Sequence, residues 1–303
     1  MIKFANILFF VLSISVGYGH SHDHNLKFEQ NKGQWDENIL FKTNIVSGKA
    51  YFEKNCVTYD LLKAEDLAHL HDVRHGYFPN ENLNDVVIRG HAFKTYFLNA
   101  NQNPVAIGSE KFEDYVNYFL GNDESKWAGG VEQFAEIKYQ NIYPGIDLIY
   151  YSSQNSLKYD YIVKPLANAF AINMLYEGVD KLSISKGNLV IKTSIGDIVE
   201  LKPYAYQLID GVEKEVKCKF QIKGNSVSFS FPKGYNQNLE LVIDPQLIFS
   251  TFTGATSDNW GFTATYDNAG NTYAGGIVFG TGYPKTTGAY QTTFGGGTID
   301  IGI

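Results

Sequence analysis

Apolar and polar residues alternate with a period of two along most of the chain, which is the pattern of β-strands that bury one face. The alternation is clearest between residues 181 and 231, where Asp210-Gly211 and Gly224-Asn225 separate short apolar runs. Such dipeptides favour two-residue hairpin turns. The face predicted to be buried carries Leu182, Ile184, Leu189, Ile191, Val227, Phe229 and Phe231. The pattern indicates an antiparallel meander with one face on a core, as in a β-sandwich.

One segment departs from this period. Residues 61–76 place apolar side chains at helical spacing and end at Gly76, which predicts a short surface helix. His71 and His75 lie four residues apart and share a face of this helix, whereas His69 lies on a different side. Two histidines at this spacing are potential zinc ligands, although neither a third ligand nor a carboxylate that would fix the rings is identifiable, since Asp72 is expected to project elsewhere. A solvated helix face is the alternative interpretation.

Composition supports an aromatic, glycine-rich β protein, with 21 Tyr, 21 Phe and 29 Gly against 2 Met. The formal net charge is −7. An acidic chain lacks the basic face that nucleic-acid binding requires, so we expect no nucleic-acid partner. Nor do the glycine-rich segments sit between a strand and a helix, where they would cradle a phosphate.

The first 19 residues have the layout of a secretory signal peptide. Lys3 precedes an apolar run over residues 5–16, and small residues stand at Gly17 and Gly19. The run is shorter than the roughly 20 apolar residues that span a bilayer, so we expect cleavage after Gly19, export and no transmembrane segment in the mature chain. Residues 20–25 form a polar leader in which His20, His22 and His24 alternate.

The two cysteines, Cys56 and Cys218, lie in separate predicted strands. A pair of cysteines does not make the dense disulfide framework of small secreted domains. Spacing alone leaves two alternatives open, a single disulfide or two buried thiols.

Two carboxylates stand out in residues 146–163, which read as two strands around a turn at residues 152–155. If Tyr151 pairs with Ser156, Asp147 lies opposite Asp160 on one face, with Lys158 nearby. Opposed carboxylates repel each other. The repulsion has three resolutions: a bound cation such as calcium, a shared proton that raises one pKa, or full solvation. A shift of one residue in register would instead separate the pair onto opposite faces.

A carboxylate pair about 5 Å apart is also the geometry of a retaining glycosidase. This makes a secreted carbohydrate-active hydrolase that uses Asp147 and Asp160 the alternative function. A structural or solvated role is the favoured interpretation of the pair. The turn sequence DNAGN at residues 267–271 also carries oxygen ligands, but it lacks the distal Glu of a calcium-binding loop.

Six segments carry a resemblance to a known protein class. They are NKGQW, NYFLGNDESKWAGGV, YPGIDLIYY, LKYDYIVKP, LVIDPQLIFSTFTG and the repeat-like TYDNAGNTYAGGIVFGTGYPKTTGAYQTTFGGG at residues 265–297. In this order they resemble exported bacterial proteins that have an N-terminal β-domain followed by SBBP β-propeller repeats. Similar chains in gliding, type IX-secreting bacteria end in a sorting domain that attaches them to the cell surface. The resemblance implies an extracellular or cell-surface location and supplies no enzymatic residue set.

The resulting expectation is an all-β chain in four parts. Residues 1–19 are the signal peptide, residues 20–25 the leader, and residues 26–245 a sandwich-like antiparallel β-domain of one unit or two subdomains. Residues 246–303 are the first, incomplete SBBP-type repeat of a propeller, which makes the chain the front of a longer protein. The expected function is non-enzymatic: adhesion, binding of a surface glycan or another extracellular protein, or a scaffold for the propeller. Exposed tryptophans such as Trp127 and Trp260 suit sugar stacking.

Overall fold

The computed structural model describes residues 26–76, 78–153, 156–245, 247–248, 259–266, 272–278 and 300–302. The first ten strands are β1 Phe28–Gln30, β2 Ile39–Ile45, β3 Gly48–Glu53, β4 Cys56–Leu62, β5 Gly90–Phe97, β6 Val105–Tyr118, β7 Ala128–Tyr143, β8 Ile146–Ser153, β9 Ser156–Val163 and β10 Asn173–Glu177. The next are β11 Lys181–Ser185, β12 Asn188–Thr193, β13 Gly196–Glu200, β14 Tyr204–Ile209, β15 Val212–Val216, β16 Lys219–Lys223, β17 Ser226–Ser230 and β18 Leu241–Asp244. The last are β19 Leu247–Ile248, β20 Asn259–Tyr266, β21 Thr272–Val278 and β22 Asp300–Gly302.

Helical structure is limited in the described residues. The α-helix α1 spans Ala64–Arg74, and short 3₁₀ turns span Leu83–Asp85, Glu124–Lys126 and Ala169–Ala171. The helix predicted within residues 61–76 is therefore confirmed, but it is shorter than predicted because Leu61 and Leu62 belong to β4 and pair with β5.

Fifteen strands form one antiparallel sheet with the order β15-β14-β18-β9-β8-β7-β1-β2-β3-β4-β5-β10-β17-β16, and β6 pairs with β7 beside this path. A second sheet has the order β11-β12-β13-β19, and a third has the order β20-β21-β22. The expectation of an all-β chain with extensive antiparallel pairing is confirmed.

Strand β7 joins two parts of the large sheet. Phe134 of β7 pairs with β1 and Glu136 pairs with β8, while both residues pair with β6 on their other side. Strands β1 and β8 therefore lie end to end along one edge of β7, and the backbone N–H of Leu26 donates to Ser152 Oγ at 3.2 Å where they meet. We call the strands from β1 to β16 in the sheet order the first wing, and those from β8 to β15 the second wing.

Aromatic side chains of the two wings meet in one hydrophobic core. The ring of Phe52 in the first wing lies 4.9 Å from that of Tyr150 in the second wing, and Tyr161 lies 6.0 Å from Phe229. These four side chains are at most 3% exposed. Side chains from strands far apart in the sheet order thus share one core, and apolar burial supplies most of the driving force for this arrangement.

The four-stranded sheet adds a carboxyl group to this core. Glu200 of β13 is 3% exposed and accepts hydrogen bonds from Tyr176 of the first wing at 2.7 Å and from Tyr159 of the second wing at 2.9 Å. Burial raises the pKa of Glu200, and the two hydroxyl groups oppose that shift because they stabilise the charged form. One acidic side chain therefore connects both wings through tyrosine.

The predicted meander is wrong as one continuous run of paired strands, because β11–β13 belong to the four-stranded sheet while β14–β15 and β16–β17 lie at opposite ends of the large sheet. Its hairpin turns and most of its buried face are confirmed. Asp210 and Gly211 have positive φ of 52° and 75° in the turn between β14 and β15, as an Asp-Gly hairpin turn requires. Five of the seven predicted core residues are buried: Leu189, Ile191, Val227, Phe229 and Phe231. Leu182 is only partly buried and Ile184 is 46% exposed, because both lie on β11 at the edge of its sheet.

The repeat-like segment forms the predicted strand pair. Strand β20 pairs antiparallel with β21 over a register that closes at Tyr266 and Thr272, and β21 also pairs with β22. The DNAGN sequence between them lies outside the described residues, as do the predicted signal peptide and leader at residues 1–25.

A close approach between β6 and β7 gives a test of this packing. A Cβ atom added to Gly108 would lie 2.3 Å from Cγ of the Phe134 ring, which must then move. We expect Gly108→Ala to lower the free energy of unfolding by about 1 to 3 kcal/mol, measured by urea denaturation. Gly129→Ala, on the neighbouring strand, meets nothing closer than 3.5 Å and is the matched control. Equal unfolding midpoints for the two variants would contradict the packing.

Candidate binding surface

The NKGQW segment at residues 31–35 forms a loop ordered by its own asparagine. Asn31 Oδ1 accepts the backbone N–H of Gly33 at 2.9 Å, and Asn31 Nδ2 donates to the carbonyl groups of Asp36 and Ile39, both at 2.8 Å. Gly33 has φ of +105°, a conformation that side-chain-bearing residues rarely adopt. The Asn and Gly of this segment are therefore required by the loop itself.

The loop is fastened to the end of the β6–β7 hairpin, almost one hundred residues away in sequence. Lys32 Nζ donates to the carbonyl groups of Gly129 and Gly130 at 3.1 and 3.2 Å. The ring of Trp35 packs edge-on against Tyr118 with centroids 5.3 Å apart. Two of the segments that carry the resemblance, NKGQW and NYFLGNDESKWAGGV, thus form one surface at one end of the domain.

A buried lysine lies beneath this surface. Lys42 Nζ is 3.0 Å from Glu29 Oε2, and each side chain is only 9% exposed. The same ammonium group donates to Tyr118 Oη at 2.9 Å and lies 4.8 Å from the centre of the Trp35 ring. Lys42 therefore contacts both Trp35 of the loop and Tyr118 of the hairpin. Because separating a buried ion pair would leave an uncompensated charge, this cluster holds the loop and the hairpin in fixed positions.

Tyr118 completes the cluster by donating its hydroxyl proton to Glu29. Burial, followed by the hydrogen bond to Glu29 and its charge, raises the pKa of Tyr118, so the hydroxyl remains a donor. Sequence reasoning assigned no role to Glu29 or Lys42, and it included Trp35 and Tyr118 only as parts of the segments that carry the resemblance. A lysine in a strand is ordinarily solvated, and only tertiary pairing places Lys42 between two rings.

The tip of the β6–β7 hairpin presents apolar side chains to solvent. Phe119 is 60% exposed, Leu120 is 75% exposed and Trp127 is 41% exposed. The rings of Phe119 and Trp127 pack edge-on at 5.8 Å, and the indole N–H of Trp127 donates to the carbonyl of Gly121 at 3.3 Å. We call these three residues the aromatic tip. They are exposed but held in position, a combination typical of recognition surfaces.

A cleft of about 510 Å³ opens beside the NKGQW loop. Its polar lining consists of the amide and carboxylate side chains of Gln30, Asn31 and Glu37. The rest of the lining consists of the half-buried indole of Trp35 with Gly33, Ile39, Leu40, Phe41 and Ala106. Apolar clefts with a few polar groups are the usual form of small-ligand sites.

A family model described as "Domain of unknown function (DUF7948)" matches residues 28–246. The chain belongs to this family. No curated protein and no solved structure matches the chain. The loop, the aromatic tip and the cleft all lie within the DUF7948 domain.

The expected pairing of Asp147 with Asp160 is wrong within this domain. The β8–β9 register pairs Ser153 with Ser156, so Asp160 faces Ile149 and Asp147 faces Ile162. The hairpin is two residues tighter than expected, and both carboxylates stay on the face opposite the core but are diagonal neighbours.

Asp147 is instead held by cations. Its carboxyl group, on a side chain that is 4% exposed, lies 3.0 Å from both Lys138 Nζ and Lys164 Nζ, and it accepts the N–H of Asn141 at 2.8 Å. Burial acts to raise the pKa of Asp147, but these hydrogen bonds and charges outweigh it and lower the pKa. A carboxylate in this environment stays ionised and serves as an ion-pair partner rather than as a proton donor.

Asp160 has a different acidic neighbour. The β9–β18 register pairs Tyr161 with Ile243, and its continuation by one residue places Asp244 opposite Asp160. Tyr151 Oη donates to Asp160 Oδ1 at 3.2 Å. Burial and then the charge of Asp244 raise the pKa of Asp160 to about 7. A raised pKa in a carboxylate pair is the second of the three expected resolutions, with Asp244 in place of Asp147.

Four histidines of the domain lie in three places: His71 lies beside His75, while His69 and His91 each have another partner. The rings of His71 and His75 lie 4.3 Å apart at the end of α1, which confirms that they share a face. His69 Nε2 is 2.8 Å from Glu81. His91 Nδ1 is 2.9 Å from Ser194 Oγ, so it fastens the turn between β12 and β13 to β5, as a structural histidine would.

Among the described residues, no group of three or more His, Cys, Asp or Glu side chains is arranged to hold a metal ion. Cys56 and Cys218 are free and buried, and burial raises the pKa of each thiol to about 12. No helix in the described residues is long and apolar enough to cross a membrane. Trp260 lies on β20, and its side chain lies outside what the structure describes.

The raised pKa of Asp160 predicts a pH-dependent stability. Its folded pKa of about 7 exceeds its ordinary value of 3.8, so the contribution of this group to stability is full below about pH 4 and is lost as the pH rises through 7. We expect Asp160→Asn to raise the free energy of unfolding at pH 8 by about 1 to 3 kcal/mol, with a difference that shrinks toward pH 4. Urea denaturation across this range measures it.

Asp147→Asn is the matched control because it removes the carboxylate that two lysines stabilise. We expect this variant to lose about 1 to 3 kcal/mol at pH 8. If Asp160→Asn were also less stable than the parent at pH 8, the proposed protonation of the Asp160 carboxyl would be wrong.

Proposed function

We propose that the DUF7948 domain is a non-enzymatic binding module of an exported cell-surface protein. In this proposal residues 26–245 form a sandwich-like domain that supports the propeller beginning at residue 246. The ligand that the domain binds is a surface glycan. The signal-peptide pattern and the resemblance to SBBP-repeat proteins support export and architecture. The rigid aromatic tip supports binding, and it is the observation that carries the proposal.

The form of the tip favours a carbohydrate as its ligand. Trp127 and Phe119 present ring surface at which the apolar face of a sugar can stack. The Glu124–Lys126 turn beside them offers charged and hydroxyl groups, and Asp123 fixes that turn by accepting the N–H of Ser125 at 3.1 Å. Apolar rings flanked by ordered polar groups match the alternating surface of a glycan. Another extracellular protein is the second partner class for the same surface.

The alternative function, a carbohydrate-active hydrolase that uses Asp147 and Asp160, is favoured by no geometric observation. Asp147 is neutralised by two lysines and is not opposite Asp160. A retaining mechanism needs one nucleophilic and one protonated carboxyl group that face the same bond. Lysine pairing of Asp147 removes the first of these roles.

Glycan binding is tested with the mature chain on a glycan array and then by titration with the retained glycan. We expect Trp127→Ala to weaken binding about tenfold, which corresponds to about 1.4 kcal/mol of lost stacking. Tyr204→Ala is the matched control, since Tyr204 is also 41% exposed but lies on β14 in the second wing. Retention of no glycan by the parent, or equal losses in the two variants, would contradict glycan binding at the tip.

Export is tested independently. We expect the mature protein recovered from the cell surface or medium to begin at His20, because the small residues Gly17 and Gly19 fit the cleavage position. N-terminal sequencing or mass spectrometry of the recovered protein measures this. An intact Met1 on protein retained in the cytoplasm would overturn the export proposal and leave the glycan test unaffected.

A further inference from the structure

The last turn of α1 brings two imidazole rings together at the protein surface. His71 and His75 are separated by one helical turn, and their ring centroids are 4.3 Å apart with an interplanar angle of 41°. The side chain of His71 is 65% exposed. Two imidazole groups at this spacing can direct one nitrogen each to a common point, as in helical zinc sites with histidines four residues apart.

A carboxylate lies beside the first ring. The expectation that Asp72 projects elsewhere is wrong, because Asp72 Oδ1 lies 3.4 Å from His71 Nδ1, a long contact on the side of the ring away from Nε2. When Nδ1 carries the proton and donates it to the carboxylate, the lone pair of Nε2 remains available to a ligand outside the helix. A carboxylate behind a histidine is the usual second partner of a metal-binding imidazole, because it fixes the tautomer and increases the basicity of the ring.

The position on the helix also favours a cation. His71 lies in the last turn of α1 and His75 is its C-terminal cap, where the carbonyl groups concentrate partial negative charge. The neighbouring Arg74 opposes this effect, whereas Asp72 adds to it. His69 is separately engaged with Glu81 and packs against Phe78 at 5.0 Å. The paired rings are therefore distinct from the third histidine of the helix.

We propose that His71 and His75 form a two-ligand site for a divalent first-row transition metal, with Zn²⁺ as the probe. Imidazole nitrogen suits Zn²⁺, Cu²⁺ and Ni²⁺, and it does not suit the oxygen-seeking Ca²⁺. Two imidazole ligands occupy two of the four positions of a tetrahedral zinc ion, so the proposed site takes water or a group from another molecule at the other two. The site is independent of the glycan surface.

The test uses the mature, untagged chain in which His20, His22 and His24 are replaced by Ala, since these leader histidines would compete for metal. Isothermal titration with Zn²⁺ at pH 7.5 is expected to show one site per chain with a Kd below about 100 μM. His71→Ala and His75→Ala should each weaken binding at least tenfold. Asp72→Asn should weaken it about threefold, because the ring loses its oriented proton acceptor.

His69→Ala is the matched control on the same helix and should change the Kd less than twofold. Zn²⁺-induced shifts of the imidazole NMR signals should be confined to His71 and His75, and circular dichroism verifies that each variant is folded. The proposal is overturned if the parent shows no saturable binding below 1 mM, or if His69→Ala loses as much affinity as the other two. It also fails if His71→Ala and His75→Ala bind Zn²⁺ like the parent.

Discussion

The rest of the structure depends on one long strand that is shared by two sets of partners. β7 is hydrogen-bonded along one edge to β6, while its other edge is divided between β1 and β8. Its alternating side chains must therefore suit both wings at once. Phe134 and Ile137 enter the common core, and β7 has hydrogen-bonded partner strands along both of its edges. A displacement of β7 by one residue would exchange core and surface positions in both wings.

The abundance of tyrosine follows from this arrangement. The core shared by the two wings is filled by large rings, and the hydroxyl group of a tyrosine can donate a hydrogen bond to a distant strand. Tyr139 donates to the carbonyl of Glu53 at 2.7 Å, and Tyr143 donates to the carbonyl of Asn173 at 2.9 Å. Tyr159 and Tyr176 meet at Glu200. Each bond satisfies a buried polar group and fixes the alignment of strands that are distant in sequence.

The proposed binding surface uses the same principle at the edge of the domain. The aromatic tip leaves its large apolar side chains exposed, so apolar burial contributes little to the order of the tip. The order of the NKGQW loop and the hairpin tip comes from the Lys42 cluster and from the Lys32 contacts to Gly129 and Gly130. This fixation lets Trp127 remain exposed without the entropic cost of ordering a free loop when a ligand binds.

The sequence alone determined what depends on neighbouring residues. The period of two identified the strands, Asp210-Gly211 identified a hairpin turn, and the helical spacing at residues 61–76 placed His71 and His75 on one face. A carboxylate pair with a raised pKa was also foreseeable in kind. The two residues of the pair were not foreseeable. The sequence of residues 152–155 does not fix how many residues form the turn, and Asp244 lies on a strand some eighty residues later. Only tertiary structure decided three features: the Lys42 cluster, the ion pairs of Asp147 with two lysines, and the contact between the NKGQW loop and the β6–β7 hairpin. Each joins residues whose separation in sequence carries no periodic signal.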